Sequence, residues 1–198
     1  HFEYRVSYDA DHNMEIEGAE INKVWLTTDE NPFVFYFTEE SLHMIEWRAV
    51  DNLGNKELIH RQFHFVDTLA PVIDRTHSEN FYQVGDYESF MDTNSYITLD
   101  GDDTAGDVAH CVSGLKDLYW RFEFGEKYYP EAEGDFYYDD GTEEIVLDPA
   151  TGEYWYVYNY PIYFLEECEH ILEYFAEDNV CHISDIEMIT YYVDKTAP

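Results

Sequence analysis

The sequence predicts an all-β chain of sandwich modules, on three observations. Apolar and polar residues alternate with period two over short runs. Those runs are bounded by Gly, Asn and Asp clusters. One stretch of the chain repeats another. Short alternating strands separated by turn clusters are the pattern of a β-sandwich, and no segment sustains a 3.6-residue period. The aromatic share of 18%, dominated by 19 Tyr and 13 Phe, fits half-buried pleated surfaces better than helices or disorder.

Taken in order, Phe2, Tyr4, Val6 and Tyr8 fall on one strand face and Glu3, Arg5 and Ser7 on the other. A turn cluster follows at Asp9–Asn13. Ile45, Trp47 and Ala49 then alternate with Glu46 and Arg48, up to a turn at Asp51–Asn55, and Ile59–Val66 reads as the next strand. Tyr96–Leu99 is a short strand leading into an acidic turn, Asp100–Asp107. Leu118, Trp120, Phe122 and Phe124 alternate with Tyr119, Arg121 and Glu123. Further turns at Asp139–Thr142 and Asp148–Gly152 flank a short strand at Glu144–Leu147, and Ile186–Val193 is the last strand.

The repeat sets the domain organisation. Glu39–Pro71 aligns without a gap on Glu166–Pro198 at a constant offset of 127, with His43/His170, Glu46/Glu173, Ala49/Ala176, Asp51/Asp178, Asn52/Asn179 and Asp67/Asp194 among the identical pairs. Upstream, Phe2-Glu3-Tyr4-Arg5-Val6 matches Leu118-Tyr119-Trp120-Arg121-Phe122 at an offset of 116, so the intervening loop is longer in the second copy. A fixed period of similarity marks one structural unit used twice. Residues 1–70 are therefore expected to form the C-terminal part of a module and residues 71–198 a complete one. Pro71 and Pro198 close the copies, where proline stiffens a linker and cannot join a central ladder. The first copy has no counterpart of Pro71–Asp117. Either the chain is a piece excised from a longer array, as its initial His suggests, or a neighbouring subunit supplies the missing strands by β-addition.

The charge excludes whole classes of function. With 44 acidic and 10 basic side chains, the net charge is −34. Phosphate backbones demand a basic face, so nucleic acid is not an expected partner, and anionic lipid is excluded on the same ground. No run of about 18 apolar residues is present to span a membrane as a helix. Self-repulsion of this size requires screening by salt, separated acidic faces or bound cations. Hard carboxylate oxygens around Gly suit Ca²⁺. Its candidate ligands are Asp100, Asp102, Asp103 and Asp107 in one loop, and Asp51 with Asp67 and Asp178 with Asp194 at the module ends. The competing reading is solvated turns held by Asx hydrogen bonds.

The phrase His43-Met44-Ile45-Glu46-Trp47-Arg48-Ala49-Val50-Asp51-Asn52-Leu53-Gly54-Asn55, followed by a strand and Val66-Asp67-Thr68-Leu69-Ala70-Pro71, resembles tandem immunoglobulin-like modules of bacterial and archaeal surface proteins. The second copy resembles archaeal versions, through His110–Lys116, Tyr119-Trp120-Arg121 and Glu166–His170. It departs from the pattern where Cys181-His182 replaces Gly54-Asn55, which argues against a tight glycine turn there. The resemblance implies immunoglobulin-like sandwiches in tandem, an extracellular cell-surface location, and a structural role in a surface layer, stalk or filament whose partners are itself or neighbouring modules. In that setting one disulfide is expected. Cys111–Cys168 is the chosen pair, because Ser41 stands at the Cys168 position of the first copy. Closing a loop of about 57 residues would stabilise by roughly 3–4 kcal/mol. Zinc held by Cys and His from the same segments is the alternative.

Two surfaces are candidates for contact: the face carrying Phe2, Tyr4, Val6 and Tyr8, and the aromatic run with Tyr154, Trp155, Tyr156 and Tyr158. The run serves as core, as a subunit interface, or as a stacking platform for glycans, which would make the chain an adhesin module. His43 and His170 recur in both copies, which points to packing rather than catalysis. No nucleophile-elbow, zinc-protease, P-loop or dinucleotide-binding motif occurs, and there is no haem-attachment motif. An enzyme, a haem protein or a nucleotide binder is not expected.

Overall fold

Residues 1–104, 112–138 and 141–195 are described by the computed structural model, and among them there are strands and no helix. They divide into two compact units: residues 1–69 with 112–113, and residues 70–104 with 114–195. The first unit contains β1 (Phe2–Tyr8), β2 (Leu26–Thr28), β3 (Ser41–Ala49) and β4 (His60–Val66). The second contains β5 (Val72–His77), β6 (Phe81–Gln83), β7 (Glu88–Met91), β8 (Ile97–Asp102), β9 (Leu115–Phe124), β10 (Lys127–Tyr129), β11 (Glu144–Leu147), β12 (Tyr154–Val157), β13 (Glu169–Asp178) and β14 (Glu187–Val193).

The first unit is one antiparallel sheet in the order β2-β1-β3-β4. The second has a large sheet ordered β11-β12-β9-β13-β14-β7-β6, with β10 also on β9, and a separate antiparallel pair, β5-β8. The three central strands of each unit are the same structure. Phe2 pairs with Ala49 in the first unit, and Leu118 with Ala176 in the second. Trp47 pairs with His60, and Tyr174 with Glu187. Both pairings follow the offsets of 116 and 127 in the sequence. Side chains alternate across a strand, so a one-residue slip would invert every face; equal register means equal faces.

In the second unit the inner face is closed. Trp120 and Phe122 of β9, Leu172, Tyr174 and Ala176 of β13, and Ile189 and Tyr191 of β14 are all buried, and they pack with Ile97 and Leu99 of β8. Burying one such large side chain contributes about 1.5–3 kcal/mol. The expected acidic turn at Asp100–Asp107 is corrected here: Asp100 and Asp102 lie within β8, paired with Asp74 and Val72. The cause is Gly101 between them. A Cβ at Gly101 would come within 2.8 Å of the Leu115 methyls and 2.9 Å of a Leu118 methyl, so its bare backbone lets β8 press onto β9. The neighbouring carboxylates then project from a strand edge.

Four further strands, β2, β5, β6 and β7, arise where the sequence pattern is weak. β7 joins β14 in parallel, with Tyr191 opposite Ser89 and Val193 opposite Met91. Among the described residues the first unit has no equivalent of β5 to β8, and β4 is the last strand of its sheet.

Candidate functional site

The two turns that close the central hairpins show how far the copies agree. Asp51 Oδ1 accepts the N–H groups of Leu53 and Asn55, each at 2.8 Å, while its other oxygen takes Asn55 Nδ2 at 2.7 Å. Asp178 Oδ1 accepts Val180 and His182 N–H, each at 2.8 Å, and Oδ2 lies 2.8 Å from His182 Nδ1. Glycine does supply the left-handed residue of the first turn, Gly54 at φ 83°. Contrary to the sequence expectation, the second turn is equally tight: Cys181 takes the glycine's place at φ 70°. The Asp ring of hydrogen bonds over-determines the conformation, so the backbone holds without glycine. Burial raises the Asp178 carboxyl pKa, but the hydrogen bonds from His182 and Val180 outweigh it and leave the group lowered. Asn55 lowers that of Asp51.

Asp67 accepts Leu69 N–H at 3.1 Å and Ser113 N–H at 2.6 Å. Asp102 is engaged by both Thr104 N–H and its hydroxyl. Buried Asp103 accepts Gly114 N–H at 2.6 Å. Asp100 is exposed on β8, and exposed Asp194 donates its own N–H to Met91. Asp107 falls outside the described residues. Asp9, Asp11 and Glu20 do converge, with ligand atoms within 4.8 Å, although the sequence reading assigned them no ligand role. Asp9 accepts Asn13 and Met14 N–H, and Glu20 accepts Ala10, Asp11 and Glu17 N–H. These carboxylates order their own loop.

Among the described residues no disulfide forms. Cys168 and Cys181 are free, and Cys111, the expected partner of Cys168, lies outside them. The Cys168 thiol instead sits 3.6 Å from His170 Nε2 and 3.1 Å from the Glu169 carbonyl. Burial, with Glu166 and Glu169 nearby, raises its pKa.

One constellation escaped the sequence reading. In the first unit, buried Glu46 accepts Arg5 at 2.5 Å and Arg61 at 2.7 Å, and the Arg5 guanidinium lies 4.8 Å from the Trp25 ring centre. In the second, buried Glu173 accepts Arg121 at 2.6 Å, and Arg121 lies 4.3 Å from the Trp155 ring. Arg5 and Arg121, and Glu46 and Glu173, are matched positions of the repeat. Trp25 and Trp155 match through β-pairing, because Leu26 faces Tyr4 as Tyr156 faces Trp120. The signal was present in the identical Arg and Glu pairs; the Trp pair was hidden by unlike neighbours. The histidines are duplicated too. His43 packs tilted, 4.4 Å from Phe37, and His170 stacks 4.3 Å from Phe164, both histidines being buried. Burial lowers the His170 pKa and keeps the ring neutral, despite an opposing hydrogen bond to the Glu166 carbonyl.

The aromatic surfaces separate. Tyr156 is fully buried and Trp155 nearly so, with Tyr154 and Tyr158 half-buried. At Trp155 and Tyr156 the core reading holds over the interface and platform readings, because β12 packs on both faces, Tyr156 in the main core cluster and Trp155 with Tyr119 and Phe175. The face of β1 is different. Phe2 and Tyr8 are exposed, and Tyr4 and Val6 are only half-buried. Tyr4 packs tilted, 4.7 Å from Phe33, which lies 5.6 Å from Phe35. With Ile45, Trp47 and His64 these rings line an open groove of about 470 Å³.

No family model matches the chain, and no curated protein is significantly similar to it. Among the described residues no helix is long and apolar enough to cross a membrane.

Proposed function

We propose that this chain is a non-catalytic structural element, the C-terminal part of one immunoglobulin-like β-sandwich module followed by a complete one, from an extracellular tandem-repeat protein of a cell-surface layer, stalk or filament. One observation carries the reading: what is duplicated is scaffold. The central strand registers, the Asp-capped turns, the Arg–Glu–Trp centres and the buried histidines against phenylalanine all recur. Each duplicated group packs on or pairs with a neighbour in its own unit, as a load-carrying module requires. The high acidic charge keeps such modules soluble and apart at high local density.

The test is location. Antibodies raised against the 198-residue chain should label the outside of unpermeabilised source cells as a continuous layer or as projecting structures. Labelling that appears only after permeabilisation would overturn the assignment.

A further inference from the structure

We propose that the uncovered aromatic face of the first unit is the docking site for a strand-forming segment of the same kind as Val72–Asp102, supplied by polypeptide on the N-terminal side of β1 in the repeat array. The inference rests on the modular reading above and names the partner that reading requires.

The second unit supplies the template, because the matched face is covered there and each contact of the cover has an open counterpart in the first unit. The inner-face positions Tyr174, Leu172 and Tyr191 are buried, whereas the matched Trp47, Ile45 and His64 are half-buried around the groove. The outer edge of β14 is filled by β7 in parallel; β4, the matched strand, ends its sheet. Ile162 exchanges two backbone hydrogen bonds of 2.9 Å with Ile97 of the cover. Phe35 holds the matched position, and among the described residues no bridge partner faces it. A face, an edge and a backbone bridge are thus open together, and one segment, Val72–Asp102, closes all three in the second unit with β5, β7 and β8.

The chemistry of the cover also fits. β5 turns Arg75 and His77 toward the sheet, where Arg75 donates to Tyr174 Oη at 2.9 Å and lies 5.8 Å from that ring, and His77 Nε2 pairs with Tyr191 Oη at 2.8 Å. Trp47 offers a cation the aromatic face that Tyr174 offers, and His64 offers a hydrogen-bonding ring in place of the Tyr191 hydroxyl. An unpaired strand edge beside exposed apolar surface is what strand addition satisfies. The donor's side follows from chain order: the cover of the second unit immediately precedes β9. A second copy is disfavoured, because its own β5 and β8 are already engaged.

The experiment uses the whole 198-residue chain and a synthetic peptide of residues 71–104, at about 0.5 M salt because both are acidic. A 1:1 complex is expected, with hydrogen-exchange protection gained at Phe35 and along β4. Gln62→Ile with His64→Tyr installs the second unit's side chains and should tighten binding about tenfold, by adding buried apolar area. Ile45→Asp should weaken it at least as much while leaving the melting of the second unit unchanged. Absence of saturable binding to both the wild type and the Gln62→Ile/His64→Tyr chain would overturn the proposal. So would dimerisation that protects Phe35 and β4 without peptide, which would make a second copy the occupant. Failure of surface labelling would remove the cell-surface role and leave this binding result standing.

Discussion

Glu46 is almost wholly removed from solvent, yet it is held by two arginines, one of them more than half exposed. Burial raises its carboxyl pKa, and the hydrogen bonds from Arg5 and Arg61 more than reverse that, so it stays below 4.5. A carboxyl lowered on folding stabilises the fold above its unfolded pKa, and that stabilisation is lost as pH falls through the folded value. Glu46→Gln should therefore cost about 2–4 kcal/mol at pH 7, less than a fully buried pair because Arg61 keeps part of its hydration. The difference from wild type should shrink toward zero between about pH 5 and pH 3. Urea melts followed by tryptophan fluorescence at pH 7, 5 and 3 check this, at low concentration because the pI is near 4.1. A pH-independent difference would mean that Glu46 acts by shape alone.

At the scale of elements, the hairpin turns separate what glycine contributes from what aspartate contributes. Cys181 holds a left-handed conformation that costs an L-residue about 1–2 kcal/mol, and Gly54 holds it freely at the price of a more disordered unfolded chain. Cys181→Gly should thus stabilise the second unit by roughly 0.5–1 kcal/mol, and Gly54→Ala should destabilise the first by about 1 kcal/mol through strain alone, since nothing lies within 4 Å of the added Cβ. Chemical denaturation of both variants measures it; loss of stability in Cys181→Gly would mean that the thiol makes a contact worth more than the strain. The same elements mark what was legible. That β1-β3-β4 and β9-β13-β14 share one register follows from the two constant offsets, because matched residues alternate onto matched faces. β8 was misread beyond Leu99, since Asp is depleted in strands and only the Gly101 approach to β9 makes Asp100–Asp102 extended. Of the alternatives left open for the aromatic run, core holds for Trp155 and Tyr156; alternation identifies two faces but cannot tell that both are packed, Tyr156 in the main cluster and Trp155 against Tyr119 and Phe175. The exposed face of β1 goes with a difference that was legible: Pro71–Asp117 has no counterpart in the first copy.

For the whole molecule the governing quantity is a net charge of −34, and the question is how it is neutralised. Asp51, Asp67, Asp102, Asp103 and Asp178, which composition marked for Ca²⁺, each receive backbone or side-chain donors. A carboxylate already coordinated by N–H groups loses those bonds if a cation takes its oxygens, so divalent binding there gains little. Simple screening then carries the effect. The Debye length falls from about 30 Å at 0.01 M to about 3 Å at 1 M, shorter than the spacing of most surface charges. The melting temperature should therefore rise by about 5–10 °C between roughly 0.02 M and 1 M NaCl. CaCl₂ at matched ionic strength should give the same rise, and a chelator should remove nothing that NaCl cannot restore. Scanning calorimetry in the three conditions decides it. A calcium-specific increment at micromolar to millimolar concentration would show that these loops exchange their internal donors for an ion, and would make the cation part of the module's architecture.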